Sequence, residues 1–208
     1  ESAAEYCKLY DYTVAALVDV IGDVFVGAHS MTVTEGLWDE AYFIKHCAQG
    51  TNYKTGEKGS RLCYLSASFY DSTPGEYTSG YTLAETIDYL RSTAEEYGFD
   101  NLIYGIDEGR ILYGNASGAD DNQLLTRTCG FTYQAGYDAR MYKTMFENDI
   151  NYFSSWAYLS NGLLDGYPTV SYHVAQNAAK FGGARLVKTE KTKRGFVPKA
   201  EVDAVSAF

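Results

Sequence analysis

Two adjacent carboxylates and a guanidinium close one of the apolar runs of this chain. Asn101-Leu102-Ile103-Tyr104-Gly105-Ile106-Asp107 reads as a buried strand, and Glu108-Gly109-Arg110 follows it directly. A carboxylate there sits at the mouth of a sheet, and Arg110 is near enough in sequence to hold it ionised. An ionised carboxylate at a strand end can attack the anomeric carbon of a sugar, so Glu108 is the candidate nucleophile. The competing expectation is an ion-pair network of Asp107, Glu108 and Arg110 in a loop. Other strand ends carry further candidates. His29 follows the first apolar run, Ser66, Ser68, Tyr70 and Asp71 close the second, and Trp156, Tyr158 and Asn161 close the last. The indole plane of Trp156 suits the apolar C–H face of a sugar, although a Trp filling the core would look the same. His29, Ser68, Tyr70, Tyr158 and Arg110 can hydrogen-bond hydroxyl groups, or simply satisfy strand-end polar groups. His173 reads as a structural helical residue and His46 as a surface one.

The elements that must position these residues alternate regularly. Apolar runs begin at Asp23, Leu62, Asn101 and Tyr152, and the first three starts are 39 residues apart, the size of a strand–loop–helix–loop unit. The first helix is expected over about Ala4 to Ile21, with Leu9, Ala16, Leu17 and Val20 on its apolar side and Gly22 as its stop. A second runs from about Leu37 to Ala48. A third begins at Thr82, where Glu85 completes a capping box, and buries Leu83, Ile87, Leu90 and Ala94. The longest carries Leu125, Cys129, Tyr133, Tyr137, Met141 and Met145 at four-residue spacing, a stripe for packing against a sheet. The fifth spans about Val170 to Phe181. Apolar strands alternating with helices imply an α/β fold with a parallel sheet covered on both sides, either doubly wound or a (β/α)8 barrel. No Gly-x-Gly-x-x-Gly and no Gly-Lys-Ser/Thr loop marks a nucleotide site. After Gly183 the pattern changes to strands over Ala184–Glu190 and Ala200–Phe208, joined by the basic turn Lys191–Gly195.

Composition narrows the class of partner. The chain has 208 residues, a net charge of −10, 20 Tyr and only 3 His. The acidic balance argues against nucleic acid or an anionic membrane. No apolar run approaches the ~20 residues that span a bilayer, and the acidic opening Glu1-Ser2-Ala3-Ala4-Glu5 does not read as a secretory leader. Cys7, Cys47, Cys63 and Cys129 lack zinc-ligand spacing and read as buried free thiols.

In order along the chain, these motifs resemble the C-terminal half of a clan-A (β/α)8 glycoside hydrolase, most closely glycoside hydrolase family 39. Glu5-Tyr6-Cys7-Lys8-Leu9-Tyr10-Asp11-Tyr12-Thr13 is similar to the helix after the fourth barrel strand, and Val24-Phe25-Val26-Gly27 to the fifth strand. Leu65-Ser66-Ala67-Ser68-Phe69-Tyr70 is similar to the sixth, with Ser68 where that family has His in Ser-x-His-x-Tyr. Ile106-Asp107-Glu108 resembles the seventh, which bears the nucleophile, and Phe153-Ser154-Ser155-Trp156 the eighth. Gly166-Tyr167-Pro168 with Ser171-Tyr172-His173 resembles the last barrel helix. The resemblance implies a retaining, β-xylosidase-like enzyme acting on a carbohydrate substrate, with no metal or organic cofactor. It implies strands 5–8 of the barrel in residues 1–183 and the start of a β-rich accessory domain in 184–208. The family's acid/base lies in an Asn-Glu-Pro on strand 4. The three prolines here follow Thr73, Tyr167 and Val197, so that motif is absent. The N-terminal half of the barrel is then expected elsewhere in the same polypeptide or in a partner chain. A non-catalytic carbohydrate-binding or degenerate barrel is the rival from another class. A complete small doubly wound protein is the third expectation.

Overall fold

The computed structural model describes residues 2–30, 40–73, 76–77, 81–111, 132–155, 163–164, 167–182, 189–192 and 195–198. Helix α1 (Ala3–Ile21) opens on a reciprocal cap in which the Ser2 side chain accepts from the Glu5 amide and the Glu5 carboxylate accepts from the Ser2 amide. Helix α2 spans Glu40–Gln49. Helix α3 (Leu83–Glu96) starts on the Thr82/Glu85 capping box that the sequence predicts, with both bonds formed. Helix α4 covers Thr132–Glu147. Helix α5 (Val170–Ala178) is capped by Thr169 and runs into a 3-10 turn over Ala179–Phe181.

Strands β1 (Gly27–Ala28), β2 (Tyr64–Thr73), β4 (Ile103–Ile111) and β5 (Tyr152–Ser155) form a parallel sheet in the order β1-β2-β4-β5, and the short β3 (Glu76–Tyr77) adds antiparallel to the far end of β2. The spatial order equals the chain order. Every crossover therefore steps in the same direction, and right-handed crossovers then place the connecting helices on one face. The helices follow suit: α1 packs on α2, α2 on α3, α3 on α4 and α4 on α5, while α3 lies against β2 and β4 and α4 against β4. A doubly wound sheet reverses its strand order partway and so puts helices on both faces. This sheet has no such reversal among its described strands. Helices α1 to α4 contribute to one core cluster with the buried side of β2 and β4.

The core lies between that side of the sheet and the helices. Leu65, Ala67, Phe69, Tyr104 and Ile106 from the strands meet Phe43, Ile44, Ile87, Leu90, Ala94, Met141 and Met145 from the helices. Ile87 and Leu90 are wholly buried, each stabilising by about 1.5–3 kcal/mol. Met141 and Met145 thus fulfil the packing expected of the long stripe, whereas Leu125, Cys129 and the Tyr133 side chain lie outside the described residues. Cys7 and Cys47 are buried free thiols as expected, Cys63 is partly exposed, and Cys129 is again outside.

Several elements differ from expectation. Helix α1 buries Cys7, Tyr10, Asp11 and Val14, while Leu9 and Val20 are 63% and 85% exposed. The buried side is chosen by partners waiting for Asp11, described below. The first strand pairs over Gly27–Ala28 alone, with β2 as its one neighbour among the described residues, and Phe25 remains exposed. Two short antiparallel ladders follow the sheet, β6 (Leu163–Leu164) with β7 (Tyr167–Pro168), and β8 (Thr189–Thr192) with β9 (Gly195–Pro198). Lys191, Thr192 and Gly195 thus belong to strands and not to a wide basic turn, since Thr192 pairs directly with Gly195 across a two-residue connection.

Candidate active site

Side chains alternate across a strand. On β2, Leu65, Ala67 and Phe69 enter the core, so Tyr64, Ser66, Ser68 and Tyr70 belong to the opposite face. On β4, Tyr104 and Ile106 pair with Leu65 and Ala67 and join the same core. Strict alternation would send Glu108 into that core two residues after Ile106. The register prevents it. Ala67 pairs with Ile106, but the next β2 residue, Ser68, pairs with Glu108, leaving Asp107 as an extra residue. The other neighbour shows the same insertion: Ile106 pairs with Phe153 and Gly109 with Ser155. A β-bulge of this kind re-aims the side chains beyond it. Here it brings two consecutive carboxylates, Asp107 and Glu108, to the face that carries Ser66, Ser68 and Tyr70.

Each carboxylate has its own hydroxyl partners. The Tyr70 hydroxyl donates to Glu108 Oε1 at 2.8 Å. Burial, and then the bond to Glu108 and its negative charge, push the Tyr70 phenol above its usual range, so it remains a protonated donor. Asp107 Oδ1 accepts from the Tyr152 hydroxyl at 2.7 Å and Oδ2 from Ser66 Oγ at 2.7 Å. Burial and the Asp107 bond likewise raise the Tyr152 phenol. Ser66 Oγ also lies 2.7 Å from the His29 carbonyl oxygen, and Ser68 Oγ donates to the Ser30 carbonyl at 3.0 Å. These two bonds tie the end of β1 to β2.

A layer of rings floors the site. Gly27 pairs with Tyr64, and Gly105 with Tyr152. Each tyrosine ring occupies the space that a Cβ on its glycine partner would need. Tyr64 meets Tyr152 edge-on at 6.3 Å, and Phe25 stacks on Tyr64 at 5.7 Å. Gly109, just past Glu108, is equally constrained, since an added Cβ would collide with the Phe69 carbonyl oxygen and come within 2.9 Å of Ile106 Cγ2.

The sequence candidates are thus placed as follows. Glu108, Tyr70 and Ser68 converge on one face at the C-terminal ends of β2 and β4, and the His29 backbone joins them through Ser66. The His29 ring is 3% exposed, and burial lowers it to about 3, so it is neutral at ordinary pH. Arg110 pairs with Tyr70 in the ladder, and its side chain lies outside the described residues. Trp156 and Tyr158 also lie outside them. Asp107 and Glu108 sit within a strand and not in a loop, and hydroxyls bond both of them; the Arg110 arm of the expected ion-pair network lies outside the described residues. Tyr152 and the tethering of Asp107 were not legible in the sequence. The one available signal was that Gly105 leaves room for a ring from the next strand.

A second polar cluster lies between α1, α2 and the loop before β2. Asp11 is fully buried. Its carboxylate accepts from the Tyr53 amide at 2.7 Å and from Ser60 Oγ, and it pairs with His46 Nε2 at 2.9 Å. His46 is 7% exposed, not the surface residue expected from its helical position, because Asp11 receives it. Although Asp, His and Ser meet here, the serine bonds the acid, whereas a nucleophilic serine must bond the imidazole. The cluster is a clamp joining two helices and a loop. The neighbouring Cys7 thiol is pushed up to about 12 by burial and by the Asp11 charge.

Among the described residues no group of three or more His, Cys, Asp or Glu side chains is placed to hold a metal ion, and no helix is long and apolar enough to cross a membrane. No protein-family model, curated protein or solved structure matches the chain.

Proposed function

We propose that this chain forms strands 5–8 of a (β/α)8 barrel in a retaining glycoside hydrolase of the family-39, β-xylosidase-like type. The observation that carries the proposal is the 2.8 Å bond from Tyr70 to Glu108. Two adjacent parallel strands present a carboxylate and a phenol side by side at their C-terminal ends, which is where parallel α/β folds place their chemistry. The one-directional strand order and single layer of helices suit a barrel segment. The floor of rings on the opposite face suits a barrel interior.

In this reading Glu108 attacks the anomeric carbon and forms a glycosyl–enzyme ester. Tyr70 holds one carboxylate oxygen, which fixes the direction of the other. Ser68, His29, Arg110, Trp156 and Tyr158 are the candidates for binding the sugar. A second carboxylate, supplied by the N-terminal half of the barrel, protonates the leaving oxygen and then activates water. No cofactor takes part in these steps.

The test is covalent trapping of the full-length polypeptide with a 2-deoxy-2-fluoro-xyloside bearing a good leaving group, followed by peptide mass spectrometry. An adduct on Glu108 is expected. An intact, glycan-binding protein that gives no adduct would identify a non-catalytic carbohydrate-binding protein instead.

A further inference from the structure

Asp107 is the group that the proposed chemistry leaves without a task. Both of its oxygens are engaged, one by a hydroxyl from β5 and one by a hydroxyl from β2. It is also the residue that has no ladder partner on β2. A bulge leaves its extra residue unpaired and interrupts the ladder, so something else must hold it. Here Ser66 and Tyr152 grip that residue from both flanking strands. Ser66 is itself wholly buried and bridges to the His29 carbonyl. Release of Asp107 would remove what keeps the insertion in place, and ordinary alternation would then point residue 108 toward Ile106 and the core.

We infer that Asp107 is the positioning residue of this site: its carboxylate, bonded by Ser66 and Tyr152, fixes the bulge that presents Glu108 to Tyr70. It touches no substrate in this role, since both oxygens are turned to strand hydroxyls. The catalytic consequence rests on the glycosidase reading; the geometric consequence does not. The single hydrogen of Ser66 faces two acceptors, the His29 carbonyl and Asp107 Oδ2. An amide at position 107 would keep an oxygen for Tyr152 and would offer Ser66 an N–H, so that Ser66 could donate fully to His29.

Asp107→Ala and Asp107→Asn are therefore compared in the full-length polypeptide, by the rate of fluoro-xyloside labelling of Glu108, by thermal melting and by crystal structures. Asp107→Ala is expected to slow labelling by about 100-fold, the scale of a 1 Å misplacement, with the Tyr70–Glu108 bond broken in its crystal structure. Asp107→Asn is expected to retain most of the labelling rate and the bond, a rescue that a charge-dependent chemical role would forbid. Equal loss in both variants, or an alanine variant that labels like the wild type, overturns the inference. If the wild type itself gives no adduct, the glycosidase reading fails, and the two crystal structures decide the inference alone: a Tyr70–Glu108 bond that survives Asp107→Ala overturns it. If Asp107→Ala does not fold, Tyr152→Phe, which removes one grip and keeps the ring over Gly105, takes its place and is expected to slow labelling and loosen the same bond, while an unchanged rate and bond overturn the inference.

Discussion

Replacing Tyr70 with Phe removes one hydroxyl and leaves the ring. The hydroxyl's described partner is the Glu108 carboxylate, reached at 2.8 Å. A hydrogen bond to a charged group is worth about 1.5–3 kcal/mol net. Under the proposed glycosidase chemistry, if that bond aims Glu108 in the transition state, the barrier to forming the glycosyl–enzyme rises by the same amount. At 1.36 kcal/mol per factor of ten, the labelling rate with a 2-fluoro-xyloside should fall about 10- to 150-fold. The loss of stability in urea unfolding should stay below the net value of that bond, because the ring stays and the freed carboxylate oxygen can turn to water. The pH dependence adds a second constraint. Tyr70's phenol is raised above the usual value of 10 by burial and by Glu108. Its proton is therefore retained through pH 10, and the wild type should show no loss of labelling from this donor in the range where an ordinary tyrosine ionises. A Tyr70→Phe protein that still labels on Glu108 within twofold of the wild type would refute the idea that this bond aims the carboxylate.

Three further outcomes follow from the same geometry. Asp11→Ala strips His46, the Tyr53 amide and Ser60 of a common buried acceptor, and should cost about 3–5 kcal/mol in urea unfolding; a loss under about 1 kcal/mol would show that water replaces the carboxylate. Gly109→Ala drives a methyl into the Phe69 carbonyl oxygen, so it should destabilise by about 1–3 kcal/mol and also depress labelling of the adjoining Glu108; normal values for both would mean that the strand yields freely. His29 is lowered to about 3 in the folded protein, so the unfolded chain binds its proton first. Stability should decline as pH falls from about 6.5 toward 3, at up to about 1.4 kcal/mol per pH unit from this residue, and His29→Gln should show a shallower decline in acid titrations monitored by urea melts.

Much of the architecture was legible because it is encoded locally. The spacing of apolar runs, the Thr82/Glu85 capping box and the stripe ending in Met141 and Met145 are short-range patterns, and the corresponding elements form where those patterns lie. Two features were hidden because they depend on residues distant in sequence. Hydrophobic periodicity marked Leu9, Ala16, Leu17 and Val20 as the inner side of α1; Leu17 does pack against the core, but Leu9 and Val20 are exposed and the helix turns Asp11 inward, where His46, Ser60 and the Tyr53 amide are its partners. A buried carboxylate cannot be foreseen from its own helix. His46 was read as exposed for the same reason.

The candidate site divides along the same line. The amino-acid sequence determined that an apolar strand ends in Asp107 and Glu108, and that Ser66, Ser68 and Tyr70 alternate with buried residues on a neighbouring strand. It could not determine that both acids face those hydroxyls, because alternation alone allows only one of two consecutive residues on a given face. That was decided by tertiary structure. The insertion exists only in the pairing of β4 with both β2 and β5, and it is held by Ser66 and Tyr152, which lie 41 and 45 residues from Asp107 along the chain. Register is a relation between strands, so the face that Glu108 presents is fixed only when the sheet assembles.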